Sequence, residues 1–421
     1  MKTNVLIAGG GIIGSAVAWA LAERGVRDIV VVDLDLAGLY ASSELNAGGA
    51  RATWWQEVNV RTCLETLDFF REHADEFSFR ERGYLWLHGD ERLFAHAEEK
   101  RTLQNGFGLG VEVLSADEVA ERFQALAVDP ERLVGATFSP RDGLVNPNAV
   151  RTWYRERAEA AGVRFLNRHY VSGVSTVRQP GSQRRIAWVE VTEIGRTDPM
   201  DQEGVLRDIL TTHVVPASLG ATPERMEADV VVNCLGAWSP VFSAKVGVSD
   251  VTEPTRRQIA LVSVQLDDPA RTAALLELGM VVDPSNLYFH PEGADILAGY
   301  SIPEEAPGFD FHYDGESYFR EQVWPRLARC SPAFDRCKHL RGWSGLYAVT
   351  PDCSGIAGSV RGFTNLFEAH SFTGRGVMQS YGIAKPLAAW IDTGVCDPAI
   401  VDLSRERFSD PARWLVESLH I

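Results

Sequence analysis

Three glycines and one aspartate near the amino terminus have the types and spacing of a pyrophosphate site. In Val5-Leu-Ile-Ala-Gly-Gly-Gly-Ile-Ile-Gly14 an apolar strand runs straight into a glycine turn and then a helix. Gly9 allows the tight turn, Gly11 lets backbone approach phosphates, and Gly14 lets the helix pack on the strand. The unpaired N–H groups of the helix start, at Ile12 and Ile13, face an anion. The pattern alone is weak. Here it is followed by a helix to about Arg24 stopped by Gly25, a second apolar strand Ile29-Val-Val-Val32, and Asp33, placed to accept a ribose hydroxyl. These residues predict a dinucleotide site and leave FAD and NAD both open.

The elements that must position such a site can be read in order. Ala41-Ser-Ser-Glu-Leu-Asn-Ala-Gly-Gly-Ala-Arg51 has the composition of a loop pressed on a polar ligand. Val60, Leu64, Leu67, Phe70, Ala74 and Phe77 form the apolar stripe of a single core helix. A strand from Gly83 to His88, a helix capped by Gly106 and a capping box at Ser115-Ala-Asp-Glu118 belong to a second domain. Asn146-Pro147 then opens a helix to Ala161, stopped by Gly162 and followed by a strand Val163 to Leu166, which is another helix-to-parallel-strand unit. Val171 to Val215 reads as a strand meander with exposed, non-functional loops at Gln179 to Arg185 and Asp198 to Gly204. Ala228-Asp-Val-Val-Val-Asn-Cys-Leu-Gly-Ala-Trp238 is a third buried strand ending in a small-residue turn, where strand ends meet ligand in an open α/β sheet.

The 421 residues exceed one ordinary core, and 45% hydrophobic content is enough for two intertwined domains. A formal charge of −16 opposes nucleic acid or an anionic membrane as partner. The apolar start is broken at Gly9 to Gly11 and ends at Glu23-Arg24, too short for a membrane span; it also lacks a cleavage site, so the amino terminus is expected to be folded and retained. Six cysteines without C-x-x-C or C-x-x-H spacing suit reduced thiols in a cytoplasm, with no metal site.

Four stretches in order carry a family resemblance: the glycine turn; Ser42-Ser43 with Asn46-Ala-Gly-Gly49; Val231 to Trp238; and the block with Gly345-Leu-Tyr-Ala-Val-Thr-Pro-Asp352 and Ser371-Phe-Thr-Gly-Arg-Gly-Val-Met378. The chain resembles the FAD-dependent D-amino acid oxidase superfamily, in its sarcosine oxidase, glycine oxidase and dimethylglycine dehydrogenase branch. The resemblance implies an α/β fold: a Rossmann-like FAD-binding domain with a parallel sheet (1–82, 140–250, 340–421), interleaved with an α+β substrate domain whose sheet is mainly antiparallel (83–139, 251–339). It implies FAD contacts at Gly9, Gly11, Ile12, Ile13, Gly14, Asp33, Ser42, Ser43, Asn46, Ala47, Gly48 and Gly49. Further contacts are implied at Val171, Cys234, Gly236, Trp238, Thr373, Gly374, Arg375, Gly376, Val377 and Met378. The implied reaction oxidises the C–N bond of an amino acid, N-substituted glycine or secondary amine by hydride transfer to flavin N5, and the imine hydrolyses. A helix from about Val377 to Thr393, bent at Pro386 and closed by Gly394, would aim its N-terminus at the charge this leaves. Tyr288 and Tyr347 match active-site tyrosines of monomeric sarcosine oxidases.

Departures from that pattern shape the expectations. Trp54 and Met378 stand where monomeric sarcosine oxidases place their carboxylate clamp, and Glu292 where glycine oxidases place an arginine. Arg51, Arg375 and Arg256 are therefore the candidates for a substrate carboxylate, and His290 for substrate contact or titration. Gly345 and Asn46 replace the flavin-linking residues of relatives, so FAD is expected to be non-covalent. Leu297 replaces the lysine associated with oxygen activation, so the acceptor is either O2 or an electron carrier. The pocket should admit a larger or more apolar substrate than sarcosine. Two further readings remain: a flavin-bearing assembly or interaction factor with little turnover, and an NAD-dependent dehydrogenase.

Overall fold

A computed structural model describes residues 1–129, 131–195, 202–264 and 268–418. The strand Lys2–Ala8 is buried from Val5 onward and lies at the centre of the first sheet. Its parallel neighbours are Ile29–Val32 on one side and Pro223–Asn233 on the other, in the register Val5 to Ile29 and Val230. Arg164–Leu166 extends the parallel pairing beyond Ile29–Val32, and Leu366–His370 extends it beyond Pro223–Asn233. These central strands read as continuous apolar runs because both faces are covered: Val5, Ile7, Ile29 and Val31 pack against helices, and Leu6, Ala8, Val30 and Val32 against the antiparallel strands His169–Arg178 and Arg184–Glu193 with Phe242 and Val246. The helix Ile12–Glu23 has every residue from Ile12 to Ala22 buried. It is sandwiched between helices Pro147–Ala160 and Gly376–Thr393, with Trp19 against Trp153 at 5.4 Å between ring centroids. Asn146 caps the second of these three helices, accepting from the N–H groups of Asn148 and Ala149. The carboxyl ends of the central strands all open toward one edge, which is where this topology leaves room for a ligand.

The second sheet runs Lys338–Val349, Glu253–Ser263, Asp295–Tyr300, Leu287–Glu292, Met280–Val282, Tyr84–His88, Gly135–Ser139, Glu112–Leu114. Every pairing is antiparallel except Met280–Val282 with Tyr84–His88. The domain boundary expected at residue 340 cuts the strand Lys338–Val349, whose ladder with Glu253–Ser263 puts it in this sheet.

Two local expectations change. The stripe from Val60 to Phe77 is two helices, Glu57–Glu72 and Ala74–Phe77, because His73 leaves helical geometry at φ −118°. The meander over 171–215 holds for His169–Arg178 and Arg184–Glu193, but Gln202–Thr212 is a helix, with apolar Leu206 and Ile209 buried. The loop expected at 198–204 lies outside the described residues up to 201.

The carboxy-terminal segment is tied down by a buried ion pair: Arg407 Nε lies 2.7 Å from Asp352 Oδ2, with both side chains sequestered. Asp352 also accepts from the N–H groups of Ser354 and Leu415. Removing one partner of such a pair leaves an uncompensated charge, so Arg407→Met should cost about 3–5 kcal/mol, read as a lowered denaturant midpoint. A midpoint unchanged within error would show the pair to be dispensable.

Candidate functional site

Two backbone constraints build the amino-terminal end of the site. Gly9 has φ +101°, a left-handed conformation that side-chain-bearing residues rarely adopt, and Gly14 packs so closely that a Cβ there would overlap the Gly9 carbonyl oxygen. The helix that follows has no capping side chain at Gly11, so its N–H groups are left for something else. Asp33 accepts from the N–H groups of Gly10 (2.5 Å) and Asp35 (2.6 Å). A carboxylate has about four acceptor positions, and the rest lie at the cavity wall.

A long cavity starts here and runs between the two sheets, with about 1660 Å³ of empty space including its open mouth. Its walls include Gly9, Gly11, Ile12, Ile13, Asp33, Ser42, Ser43, Asn46, Ala47, Val171, Cys234, Gly236 and Trp238. Thr373, Gly374, Gly376, Val377, Tyr288 and Tyr347 line it as well, with Gly376 beside Ile12 of the first turn. The Ser43 hydroxyl is buried there without a hydrogen-bond partner among the described residues. The loop that precedes the helix Gly376–Thr393 is bent through positive φ at Ser371 (+61°), Thr373 (+46°) and Gly374 (+80°), the first two being unusual for residues with a Cβ. Thr373 N–H is held by the Ala348 carbonyl at 3.1 Å. This second helix also begins at the cavity with no capping side chain.

A smaller chamber adjoins this cavity, lined by Asn46, Ala47, Gly49, Arg51, Trp54, Tyr84, Met280, Tyr288, Tyr347, Thr373, Gly374, Arg375 and Met378. Trp54 is fixed by its indole N–H on the Arg51 carbonyl (3.1 Å) and by Gln104 on its own carbonyl (3.0 Å). Two guanidinium groups lie against its ring: Arg51 at 3.5 Å and Arg375 at 4.4 Å from the centroid. Arg51 donates to the Thr53 carbonyl (2.8 Å), and burial lowers its pKa to about 10. Arg375 is 1% exposed, and none of its three guanidinium nitrogens has a hydrogen-bond partner among the described residues. Burial pulls its pKa down, against the attraction of Glu417. Glu417 itself accepts from the N–H groups of Trp55 and Gln56 and from the Asn59 amide.

The cavity tyrosines rest on glycines. A Cβ at Gly374 would lie 2.7 Å from the Tyr347 ring, and Cβ atoms at Gly299 and Gly49 would overlap the Tyr288 and Tyr84 hydroxyls. Burial pushes the phenol pKa of all three tyrosines up, so they stay neutral.

Several expected residues take other places. Gly14 and Gly48 do not line the cavity; Gly14 serves strand-helix packing, and a Cβ at Gly48 would press on the Val145 carbonyl. His290 shares a strand face with Tyr288 but is roofed by the loop carrying Ala47: its Nε2 lies 2.7 Å from the Ala47 carbonyl oxygen and its Nδ1 2.9 Å from that of Pro291. Burial lowers its pKa, and the ring lines neither chamber. Arg256 is held by Glu305, Asp310 and Asp314. Tyr84, Met280, Arg257 and Leu210 line the site without having been expected; Leu210 comes from the helix read as meander and accepts the Trp238 indole N–H at 2.8 Å.

Behind the bent loop lies a buried charged cluster of Asp250, Glu368, His370 and Arg405, with Ser371 bonded to Thr252 at 2.6 Å. Burial alone would raise the Asp250 pKa, but His370, Thr252, Arg405 and Ser243 outweigh it and hold the carboxyl at about 2. A folded pKa below the unfolded ~3.9 stabilises above that value, and the contribution is lost as pH falls toward about 2. Asp250→Asn should therefore flatten the acid limb of the stability curve between about pH 4 and 2. Parallel acid limbs for variant and wild type would contradict this.

The orphan Ser43 hydroxyl, two uncapped helix starts and a glycine turn that brings backbone up to the wall fit a long, phosphate-bearing dinucleotide. The model of the family described as FAD dependent oxidoreductase (DAO) matches residues 4–390. FAD-dependent oxidoreductase domain-containing protein 1 of Xenopus laevis is 26% identical over 447 residues, covering 99% of this chain and 84% of that protein. The 4-methylaminobutanoate oxidase (formaldehyde-forming) of Paenarthrobacter nicotinovorans is 25% identical over 432 residues, covering 96% of this chain and 45% of that one. Among solved structures, L-proline dehydrogenase from P.horikoshii superposes with a TM-score of 0.78 at 23% identity, over 97% of this chain and 98% of that one. The nicotinamide alternative thus gives way to FAD. The chain belongs to the FAD dependent oxidoreductase (DAO) family.

Proposed function

We propose that this flavoenzyme oxidises the C–N bond of a carboxylate-bearing amine: an amino acid or N-substituted glycine with an apolar body larger than sarcosine. The two sheets would serve as cofactor and substrate domains. Bound FAD supplies a two-electron acceptor, so that a hydride leaves the carbon next to nitrogen and the resulting imine hydrolyses in water. The chain's own residues bind and orient. Arg375 is the observation that carries the reading: a buried guanidinium with no hydrogen-bond partner among the described residues costs free energy unless an acceptor arrives, and a substrate carboxylate beside the Trp54 ring supplies one. Trp54, Tyr84, Met280 and Met378 would enclose the apolar body and exclude water, while Tyr288 and Tyr347, neutral at working pH, flank the reacting carbon. The uncapped start of the helix Gly376–Thr393 would stabilise developing negative charge.

Gly345 supports non-covalent FAD: it carries no thiol, and even a Cβ there would come within 2.9 Å of the Leu45 side chain. The six cysteines are free, which suits a reducing compartment such as the cytoplasm. Among the described residues no helix is long and apolar enough to cross a membrane. The test is product analysis. Incubation with N-alkyl amino acids and a redox dye should yield a carbonyl compound and a primary amine in proportion to dye reduced. Dye reduction by none of a broad panel of primary and secondary amino acids would refute the proposal and favour the assembly or interaction role.

A further inference from the structure

We propose that Arg257 is a second anion site of the substrate cavity, so that the preferred substrate is an amine carrying two acidic groups, such as an N-carboxyalkyl amino acid. The inference rests on the amine-oxidising reading above and names the substrate class within it. Arg256 and Arg257 are consecutive on the strand Glu253–Ser263, and successive strand residues point to opposite faces. Arg256 points to the outer face, where Glu305, Asp310 and Asp314 neutralise it. Arg257 points to the inner face, cross-strand from Gly345, and lines the long cavity beside Tyr288 and Tyr347, the two tyrosines that also line the smaller chamber. Its guanidinium carbon lies 5.4 Å from the Tyr347 ring centroid. Its Nη1 donates to the Arg256 carbonyl at 2.9 Å, while its Nε is buried with no partner. Among the described residues no carboxylate forms an ion pair with it.

Tyr347 lines both chambers, with Arg257 on the long one and Arg375 on the small one. Gly374, the residue before Arg375, packs against its ring, and Arg257 lies over it from the second sheet. A substrate whose reacting carbon sits by Tyr347 would turn one carboxylate to Arg375 in the small chamber and a second acidic group to Arg257 on the long cavity. Arg257 on the long cavity and Arg375 on the smaller chamber, neither in an ion pair among the described residues, point to an anionic group at each side of the border that the two chambers share at Tyr288 and Tyr347.

The test uses the full chain with FAD bound, as wild type, Arg257→Met and Arg257→Lys. Acetate, succinate and glutarate are titrated by flavin difference spectra, and N-methylglycine is compared with N-carboxymethylglycine in anaerobic flavin reduction. Wild type should bind a dicarboxylate at least about tenfold tighter than acetate and be reduced faster by the dicarboxylic amine. Arg257→Met should erase that preference without changing acetate affinity or FAD affinity, and Lys should restore part of it. Equal wild-type affinity for mono- and dicarboxylates would overturn the proposal. So would an Arg257→Met variant that weakens both alike, or that loses FAD, which would place Arg257 on the cofactor. If dicarboxylates bind selectively yet no amine reduces the flavin, the reading of the reaction fails while the anion site stands.

Discussion

Arg375→Met should lower kcat/KM for carboxylated amines by about 10²–10⁴-fold, because breaking a buried charge pair costs about 3–5 kcal/mol and each 1.4 kcal/mol is tenfold. The expectation is sharper than a simple loss of activity. This guanidinium is buried without a hydrogen-bond partner among the described residues, so replacing it with an apolar side chain of similar length relieves a desolvation penalty. The variant should be as stable as wild type or more so, remain yellow, and retain its rate with amines that have no carboxylate. A merely structural arginine predicts the reverse: lowered stability and equal loss with every substrate. Steady-state kinetics on matched amines with and without a carboxylate, alongside thermal melts, separates the two.

The second large effect concerns the glycine turn, where two substitutions of the same kind should fail differently. A Cβ at Gly14 overlaps the backbone of Gly9, and backbone cannot rotate away, so Gly14→Ala should force the helix Ile12–Glu23 off the strand Lys2–Ala8. Overpacking of this kind costs about 1–3 kcal/mol or more, and the protein should melt lower and purify colourless. A Cβ at Gly11 meets nothing nearer than the Ser43 hydroxyl at 3.9 Å. Gly11→Ala should therefore keep the melting temperature of the FAD-free protein while FAD affinity falls at least about tenfold, or 1.4 kcal/mol, because the new methyl occupies the space the phosphates need. Identical behaviour of the two variants would show that the turn does not hold phosphate.

Much of this was legible in the chain because local rules and tertiary structure agree. Ile29-Val-Val-Val32 is apolar without alternation because helices cover one face of its sheet and the strands His169–Arg178 and Arg184–Glu193 the other, and Asn146-Pro147 caps the helix its side-chain chemistry favours. What was not legible depends on distant pairing. Tyr84 and Met280 share the small chamber because Met280–Val282 pairs in parallel with Tyr84–His88, a contact across nearly half the chain that no local pattern announces. Arg257 sits in the polar run Thr255-Arg-Arg-Gln258, which reads as a solvated edge until the ladder with Lys338–Val349 shows which arginine faces inward. His290 misled because strand alternation gives its face but not the loop that covers it. The helix Gln202–Thr212 was hidden by the β-branched and polar residues around it, although Leu206 and Ile209 sit three apart on a buried stripe.

The most direct test of the account is anaerobic mixing of the purified, FAD-loaded protein with carboxylated primary and secondary amines while flavin absorbance is followed. The account predicts saturable bleaching by at least one of them, abolished by Arg375→Met at concentrations that saturate wild type. A flavin that stays oxidised against the whole panel, or one that bleaches equally fast in the Arg375→Met variant, would contradict it.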